Sequence, residues 1–117
     1  MTSFAKIRTA MLPFGPSVPD EYTESETHFS TYNYADDRGT DFADDEPQEN
    51  KVSLQVHYFL PVNEDFISLR NQIRDALWNT FKNDADATYP VITPRIETAT
   101  KLRHLIFEFD ATEEREE

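Results

Sequence analysis

The chain has 117 residues and a formal net charge of −12 at pH 7, because 23 Asp and Glu outnumber 11 Lys and Arg. Neutralising nucleic-acid phosphates takes clustered Lys and Arg, so this balance argues against binding of DNA or RNA as the main activity. The chain has no cysteine and no run of eighteen apolar residues, which argues against a disulfide framework, a thiolate metal site and a membrane-spanning helix.

The first residues predict a short helix followed by an extended arm. Phe4, Ile7 and Met11 recur at helical spacing, and Ser3 can cap the helix before the prolines begin. Residues 13–26 hold three of the seven prolines and show no periodicity, which is typical of a surface loop that reaches a neighbour.

A hairpin with an acidic tip is predicted next. Residues 27–34 are rich in strand formers, and residues 52–60 alternate between apolar and polar side chains, so the two segments are expected to pair. The predicted tip, residues 35–50, holds seven acids and one arginine in sixteen positions. A loop of that length inside a small domain is usually functional or disordered.

The second helix is the best-marked element of the chain. Asn63 can cap it, Glu64 and Asp65 fall in its first turn, and Val62 and Ile67 are spaced as a hydrophobic staple. The residues that recur at helical spacing on its apolar face are Phe66, Leu69, Ile73, Leu77 and Phe81.

Two more strands follow this helix. Tyr89–Ile96 carries Pro90 and Pro94, whose missing N–H groups fall on one side, so an edge strand is predicted. Lys101–Asp110 is apolar on both faces, which predicts a central position in the sheet.

The element order predicts an α+β fold, in which an antiparallel four-stranded sheet has its helices packed on one face in the order α-β-β-α-β-β. Residues 1–110 are expected to form one domain that includes the acidic hairpin loop 35–50. Residues 111–117 are expected to form an acidic, disordered tail.

Catalytic and metal-binding patterns are weak in this chain. His28, His57 and His104 lie in strand-like segments without metal-ligand spacing, so a sheet-face or interface role is expected for each. An EF-hand loop with Gly39 at its sixth position would begin at Tyr34, which is no ligand, although another cation site in the acidic segment stays open. We therefore predict no enzyme activity, no catalytic residue, no resident metal and no cofactor.

Three segments carry a resemblance to a known family: YNYADDRGTDFADDEP, VSLQVHYFLPVNEDF leading into ISLRNQIRDAL, and TKLRHLIFEFD. Over residues 27–110 the chain resembles the tail terminator, or tail-to-head joining, proteins of long-tailed siphophages. Such proteins are small α+β subunits that form a hexameric ring on the finished tail tube and stop its polymerisation. They also join the tail to the head.

The resemblance implies a bacteriophage virion protein at the head–tail interface, assembled in the host cytoplasm without a membrane. Its implied partners are further copies of itself, the tail tube protein and a head completion or connector protein. DNA would pass through the ring without sequence-specific binding. No cofactor is implied.

Two sets of site residues follow as hypotheses. A negative lumen would let DNA slide, and the acids predicted to face it are Asp36, Asp37, Asp41, Asp44, Asp45 and Glu46. The residues predicted at the subunit interface are Tyr32, Tyr34, Phe59, Arg70, Arg74 and Arg103. The alternative for the acidic segment is a solvated hairpin tip.

Two other functions stay open. Another ring subunit of the head–tail connector would share this pattern, because hydrophobic spacing does not identify the layer of the neck. An acidic mimic of nucleic acid could instead inhibit a DNA-binding protein. A mimic needs carboxylates at phosphate-like spacing along one face, whereas here they cluster in a loop, an arm and a tail, which favours the ring.

Overall fold

The computed structural model describes residues 2–20, 26–43 and 46–114, with side chains described outside residues 36–50 and 114. A short 3₁₀ turn at Leu12–Phe14 follows the first helix. In chain order the helices and strands are α1 (Ser3–Met11), β1 (Ser17–Pro19), β2 (Phe29–Ala43), β3 (Glu46–Pro61), α2 (Ile67–Phe81), β4 (Val91–Glu97) and β5 (Leu102–Glu114).

The fold is α+β, as predicted, but the sheet has five strands and is mixed. The strand order is β1-β2-β3-β5-β4, in which β1 pairs with β2 in parallel and every other pair is antiparallel. The prediction of a four-stranded, purely antiparallel sheet is therefore wrong. The hairpin of β2 and β3, the central position of β5 and the edge position of β4 are confirmed.

The missed strand, β1, lies inside the predicted arm 13–26. Gly15 makes the preceding turn with a φ of 110°, where an added Cβ would lie 2.5 Å from the carbonyl oxygen of His28. The N–H of Ser30 then donates to the carbonyl of Pro16 at 2.8 Å, which aligns β1 beside β2. A strand this short shows no alternation of apolar and polar residues in the sequence.

The acidic segment belongs to a strand pair rather than to a loop. Residues 36–43 continue β2 and residues 46–50 continue β3, with Gly39 opposite Asn50 and a bulge between Tyr34 and Asp36. Strands of 15 and 16 residues are about 50 Å long at roughly 3.3 Å per residue. The hairpin accounts for the elongated outline of 54 × 26 × 21 Å.

Strand β5 continues past residue 110, where the predicted domain ended. Ala111 pairs with Val52 and is fully buried, and Thr112 pairs with Lys51. Pairing with β3 reaches Glu114, so the first four residues of the predicted tail belong to the sheet. Residues 115–117 of that tail lie outside the described residues.

One core lies between the helices and one face of the sheet. It combines alternate residues of β3 and β5 with the apolar sides of both helices. On β3 the predicted alternation is confirmed, since the buried residues are Val52, Leu54, Val56, Tyr58 and Leu60. On α2, Ile73, Leu77 and Phe81 are fully buried, while Phe66 and Leu69 are partly buried against the core.

Both predicted helix caps are wrong, the first by one residue and the second by three. The hydroxyl of Thr2 accepts from the N–H of Ala5 at 3.2 Å, so Thr2 caps α1, and Ser3 is buried in the first turn. Helix α2 begins at Ile67, four residues after Asn63, and the carboxylate of Asp65 accepts from the Ile67 N–H at 3.0 Å.

Candidate functional site

Neither helix covers the second face of the sheet, which we call the helix-free face. Because side chains alternate along a strand, this face takes the residues between the core positions. The strand register aligns them in rows across the sheet. They are Phe29, Thr31 and Asn33 of β2; Ser53, Gln55, His57 and Phe59 of β3; His104, Ile106, Glu108 and Asp110 of β5; and Val91, Thr93 and Arg95 of β4.

A row of stacked rings crosses the helix-free face. Phe29 stacks on Phe59 with ring centroids 4.6 Å apart, and Phe59 stacks on His104 at 4.2 Å. The ring of His57 follows at 4.9 Å from that of His104. These side chains are partly buried within the described chain, and that of His104 is only 14% exposed.

Two histidines are hydrogen-bonded to each other at the centre of this face. Nδ1 of His57 lies 2.7 Å from Nε2 of His104. On its other side, Nε2 of His57 lies 3.0 Å from Oδ1 of Asn33 and 3.2 Å from Oε1 of Gln55. The Asn33 amide is oriented by its own N–H, which donates to Gln55 Oε1 at 3.2 Å.

These contacts assign the protons of the neutral pair. Two carbonyl oxygens face Nε2 of His57, so this nitrogen carries the proton and Nδ1 accepts. Nε2 of His104 is then the donor between the two rings. The remaining ring nitrogen of the pair, Nδ1 of His104, carries no proton in this neutral state. It lies 3.5 Å from Oε1 of Glu97.

Burial lowers the pKa of both histidines from 6.5. For His57 the loss of solvation is the main cause, and the Glu108 carboxylate partly offsets it. For His104 the loss of solvation again lowers the pKa most, followed by His57, while Glu97 raises it and Arg95 lowers it. The pair is therefore uncharged at neutral pH, and acidification charges it.

Three of the six residues predicted at the subunit interface lie in different environments, namely Tyr32, Tyr34 and Phe59. Tyr32 is fully buried under α1, where its hydroxyl accepts from Arg8 at 3.2 Å, so it cannot touch a neighbouring subunit. Tyr34 is 38% exposed and stacks on Phe4 at 4.6 Å. Phe59 lies on the helix-free face.

The three predicted interface arginines also differ. Cζ of Arg103 lies 4.1 Å from the centre of the Phe66 ring, so this guanidinium packs against a side chain of its own domain. Arg74 lies 5.2 Å from the ring of Tyr89, and its buried Nε has no hydrogen-bond partner. Within the described part of the chain, no carboxylate forms an ion pair with Arg70 or Arg74.

The helices are the basic side of this acidic molecule. They pack side by side, and we call this pair of helices the helical layer. It carries a single acid, Asp75, with four cations: Lys6, Arg8, Arg70 and Arg74. Lys6 is paired with Asp84 at 3.3 Å, whereas Arg8, Arg70 and Arg74 form no ion pair with a described carboxylate.

The acids predicted to face a channel follow the long hairpin. Asp36, Asp37 and Asp41 belong to β2, and Glu46 begins β3. Residues 44 and 45 lie outside the described residues, as do the side chains of the other four acids. Their role in a channel or a cation site stays a prediction.

A cleft of about 540 Å³ opens on the helical side, beside the turn that contains Gly15. Its lining includes Phe14, Leu69 and Tyr58. The hydroxyl of Tyr58 donates to the carbonyl of Phe14 at 2.8 Å, and burial, followed by the charge of Glu64, raises the pKa of Tyr58 to about 12. This tyrosine ties the turn to the sheet.

The histidine pair was not predicted from sequence. The alternation of β3 places His57 and Phe59 on the face opposite its core residues, which was the available signal. Their meeting with His104 depends on the register between β3 and β5, in which Phe59 lies opposite His104. That register has no local sequence signal.

Among the described residues, no group of three His, Cys, Asp or Glu side chains could hold a metal ion. No described helix is long and apolar enough to span a membrane. Comparison with known protein families finds no matching family model. Comparison with curated proteins also finds no match.

Proposed function

We propose that this chain is a structural subunit of a siphophage virion, namely a tail terminator. In this proposal it forms a hexameric ring at the head-proximal end of the tail tube, stops tube polymerisation and joins the tail to the head connector. The observation that carries the proposal is the unlike character of the two sides of the domain. One side consists of two helices that carry four cations and one acid, and the other is a sheet face with a row of stacked rings that neither helix covers.

A ring closes through a head-to-tail contact, in which one surface of a subunit meets a different surface of the next. A domain with two unlike sides suits this contact better than a two-fold dimer, which would need a self-complementary patch. The aromatic row supports an interface role, because aromatic residues are enriched at subunit contacts.

The long acidic hairpin suits a passage for DNA. Residues 35–50 include seven acids, and negative charge on a lumen avoids attraction to phosphates. Replacing the six predicted lumen acids by their amides keeps side-chain size and removes the charge. We expect such rings to assemble and DNA ejection to slow, whereas unchanged ejection would contradict a lumen position.

The first experiment is mass measurement by light scattering, at raised protein concentration and then with purified tail tubes. A closed ring, or a cap on tubes that also limits tube length in electron micrographs, would support the terminator. A chain that stays monomeric and ignores tubes would overturn it. Binding to a basic DNA-handling protein would then support the nucleic-acid mimic.

A further inference from the structure

We propose that four side chains, one from each of four neighbouring strands, form a two-stage proton switch inside the sheet. They are Asn33 of β2, His57 of β3, His104 of β5 and Glu97 of β4, which we call the polar bridge. The first proton completes the hydrogen bonds of the polar bridge, and the second breaks them between β3 and β5. The switch belongs to the folded domain itself and does not depend on ring formation.

Three of the four strands are already joined in the neutral state. Nε2 of His57 donates to Oδ1 of Asn33 at 3.0 Å, and Nδ1 of His57 accepts from Nε2 of His104 at 2.7 Å. The amide of Gln55 holds Asn33 in this orientation, because its oxygen accepts from the Asn33 N–H at 3.2 Å. The polar bridge therefore runs from β5 through β3 to β2 with every N–H pointing towards β2.

The remaining link, between β5 and β4, carries no proton in the neutral state. Nδ1 of His104 and Oε1 of Glu97 lie 3.5 Å apart, and both are then acceptors. The other carboxylate oxygen of Glu97 accepts from the hydroxyl of Thr100 at 3.1 Å, which holds the carboxylate beside the ring. A carboxylate that faces an unprotonated nitrogen favours proton uptake at that atom. The first proton therefore goes to Nδ1 of His104 and completes the polar bridge without moving either ring.

The second proton meets an occupied site. The nitrogen that would receive it, Nδ1 of His57, is already the acceptor between the two rings. Once protonated, it would face the N–H of His104, so two donors would meet at 2.7 Å. Two positive rings would also lie with their centroids 4.9 Å apart. Uptake of the second proton therefore requires the rings to separate.

The charged groups around the pair leave this order of events unchanged. Burial lowers the pKa of both histidines, which places both steps below 6.5, and the exposed Glu108 of β5 partly offsets this effect at His57. On β4, Glu97 faces His104, and Arg95 lies opposite His104 in the strand register. The side chains described on β2 include no charged group. The acid nearest the pair thus faces the nitrogen that takes the first proton.

Nuclear magnetic resonance of nitrogen-15 in the imidazole rings follows each step in the original protein, between about pH 8 and pH 4. We expect Nδ1 of His104 to be protonated first. His57 should follow at a proton concentration at least about tenfold higher, because two coupled sites titrate in separate steps. The scalar coupling across the N–H···N hydrogen bond should persist through the first step and vanish with the second. Simultaneous protonation, earlier protonation of His57 or loss of the coupling in the first step would overturn the switch.

Two matched substitutions test the carboxylate of the polar bridge. Glu97→Gln keeps the size of the side chain and removes its charge, so the first step should move to lower pH by roughly 0.2–0.7 unit, as for a partly exposed ion pair. Glu64→Gln removes the carboxylate that lies 3.0 Å from His28, outside the polar bridge, and should leave both steps unchanged. An unchanged first step in Glu97→Gln, or an equal shift in the two variants, would overturn the role of Glu97.

Far-ultraviolet circular dichroism of the same samples distinguishes separation of the rings from unfolding of the domain. The β-sheet signal should stay constant through both steps, because only one contact between two strands is broken. A signal that disappears together with the second step would overturn a switch inside the folded sheet, since unfolding would then release both histidines.

Discussion

The substitution Gly15→Ala tests how much the turn before β1 contributes to the free energy of unfolding. At a φ of 110° and ψ of −175° the backbone lies in a region that is essentially restricted to glycine, and occupying it costs another residue about 1–3 kcal/mol. The new Cβ would also lie 2.5 Å from the His28 carbonyl oxygen, which is backbone and cannot rotate away. We expect a loss of about 3 kcal/mol in the free energy of unfolding.

Urea denaturation followed by circular dichroism measures this loss. With a slope of about 1.5–2 kcal/mol per molar urea for a domain of this size, the midpoint should fall by roughly 1.5–2 M at an unchanged slope. Gly15→Asn should lose a similar amount, because asparagine tolerates the left-handed helical region but not this extended one.

The matched comparison is Ser17→Ala, two residues further along. It removes only the 2.8 Å hydrogen bond from the Ser30 hydroxyl to the Ser17 hydroxyl and should cost about 1 kcal/mol. If the urea midpoint of Gly15→Ala equals that of the unsubstituted protein, the reasoning about this turn is refuted. A smaller loss in the free energy of unfolding than for Ser17→Ala would also refute it.

Three further predictions concern the core and the titrating groups. Leu77→Ala, which truncates a fully buried side chain, should cost about 2–5 kcal/mol in urea unfolding, whereas Ile67→Ala at an exposed position should cost under about 0.5. The raised pKa of Tyr58 means that the folded state resists its ionisation, so stability should fall as the pH rises from 10 towards 12, and Tyr58→Phe should remove that part of the alkaline loss. The lowered pKa values of His57 and His104 mean that the folded monomer disfavours their protonation, so its stability should fall below about pH 6.5. Their ring signals in a nuclear magnetic resonance titration should shift below that pH, and titration at or above 6.5 would contradict the assignment.

Elements that carry a long periodic pattern were predicted correctly from the sequence. Alternation along β3 identified its buried side, because successive strand residues point to opposite faces. Helical spacing identified Ile73, Leu77 and Phe81 as the inner side of α2. Pro94 indicated the edge position of β4, since a residue without an N–H cannot complete pairing on both sides.

Tertiary structure decided the features that depend on which segments meet. The strand β1 exists because β2 offers it an edge, and Tyr32 is buried because α1 packs over it. His57 and His104 are 47 positions apart in the chain, and only the register of β3 against β5 brings their nitrogens to 2.7 Å. Local patterns indicate which face of its own strand a side chain occupies. The side chain that it meets across the sheet depends on how distant segments align, because a register shift of one residue would move every side chain of a strand to the opposite face.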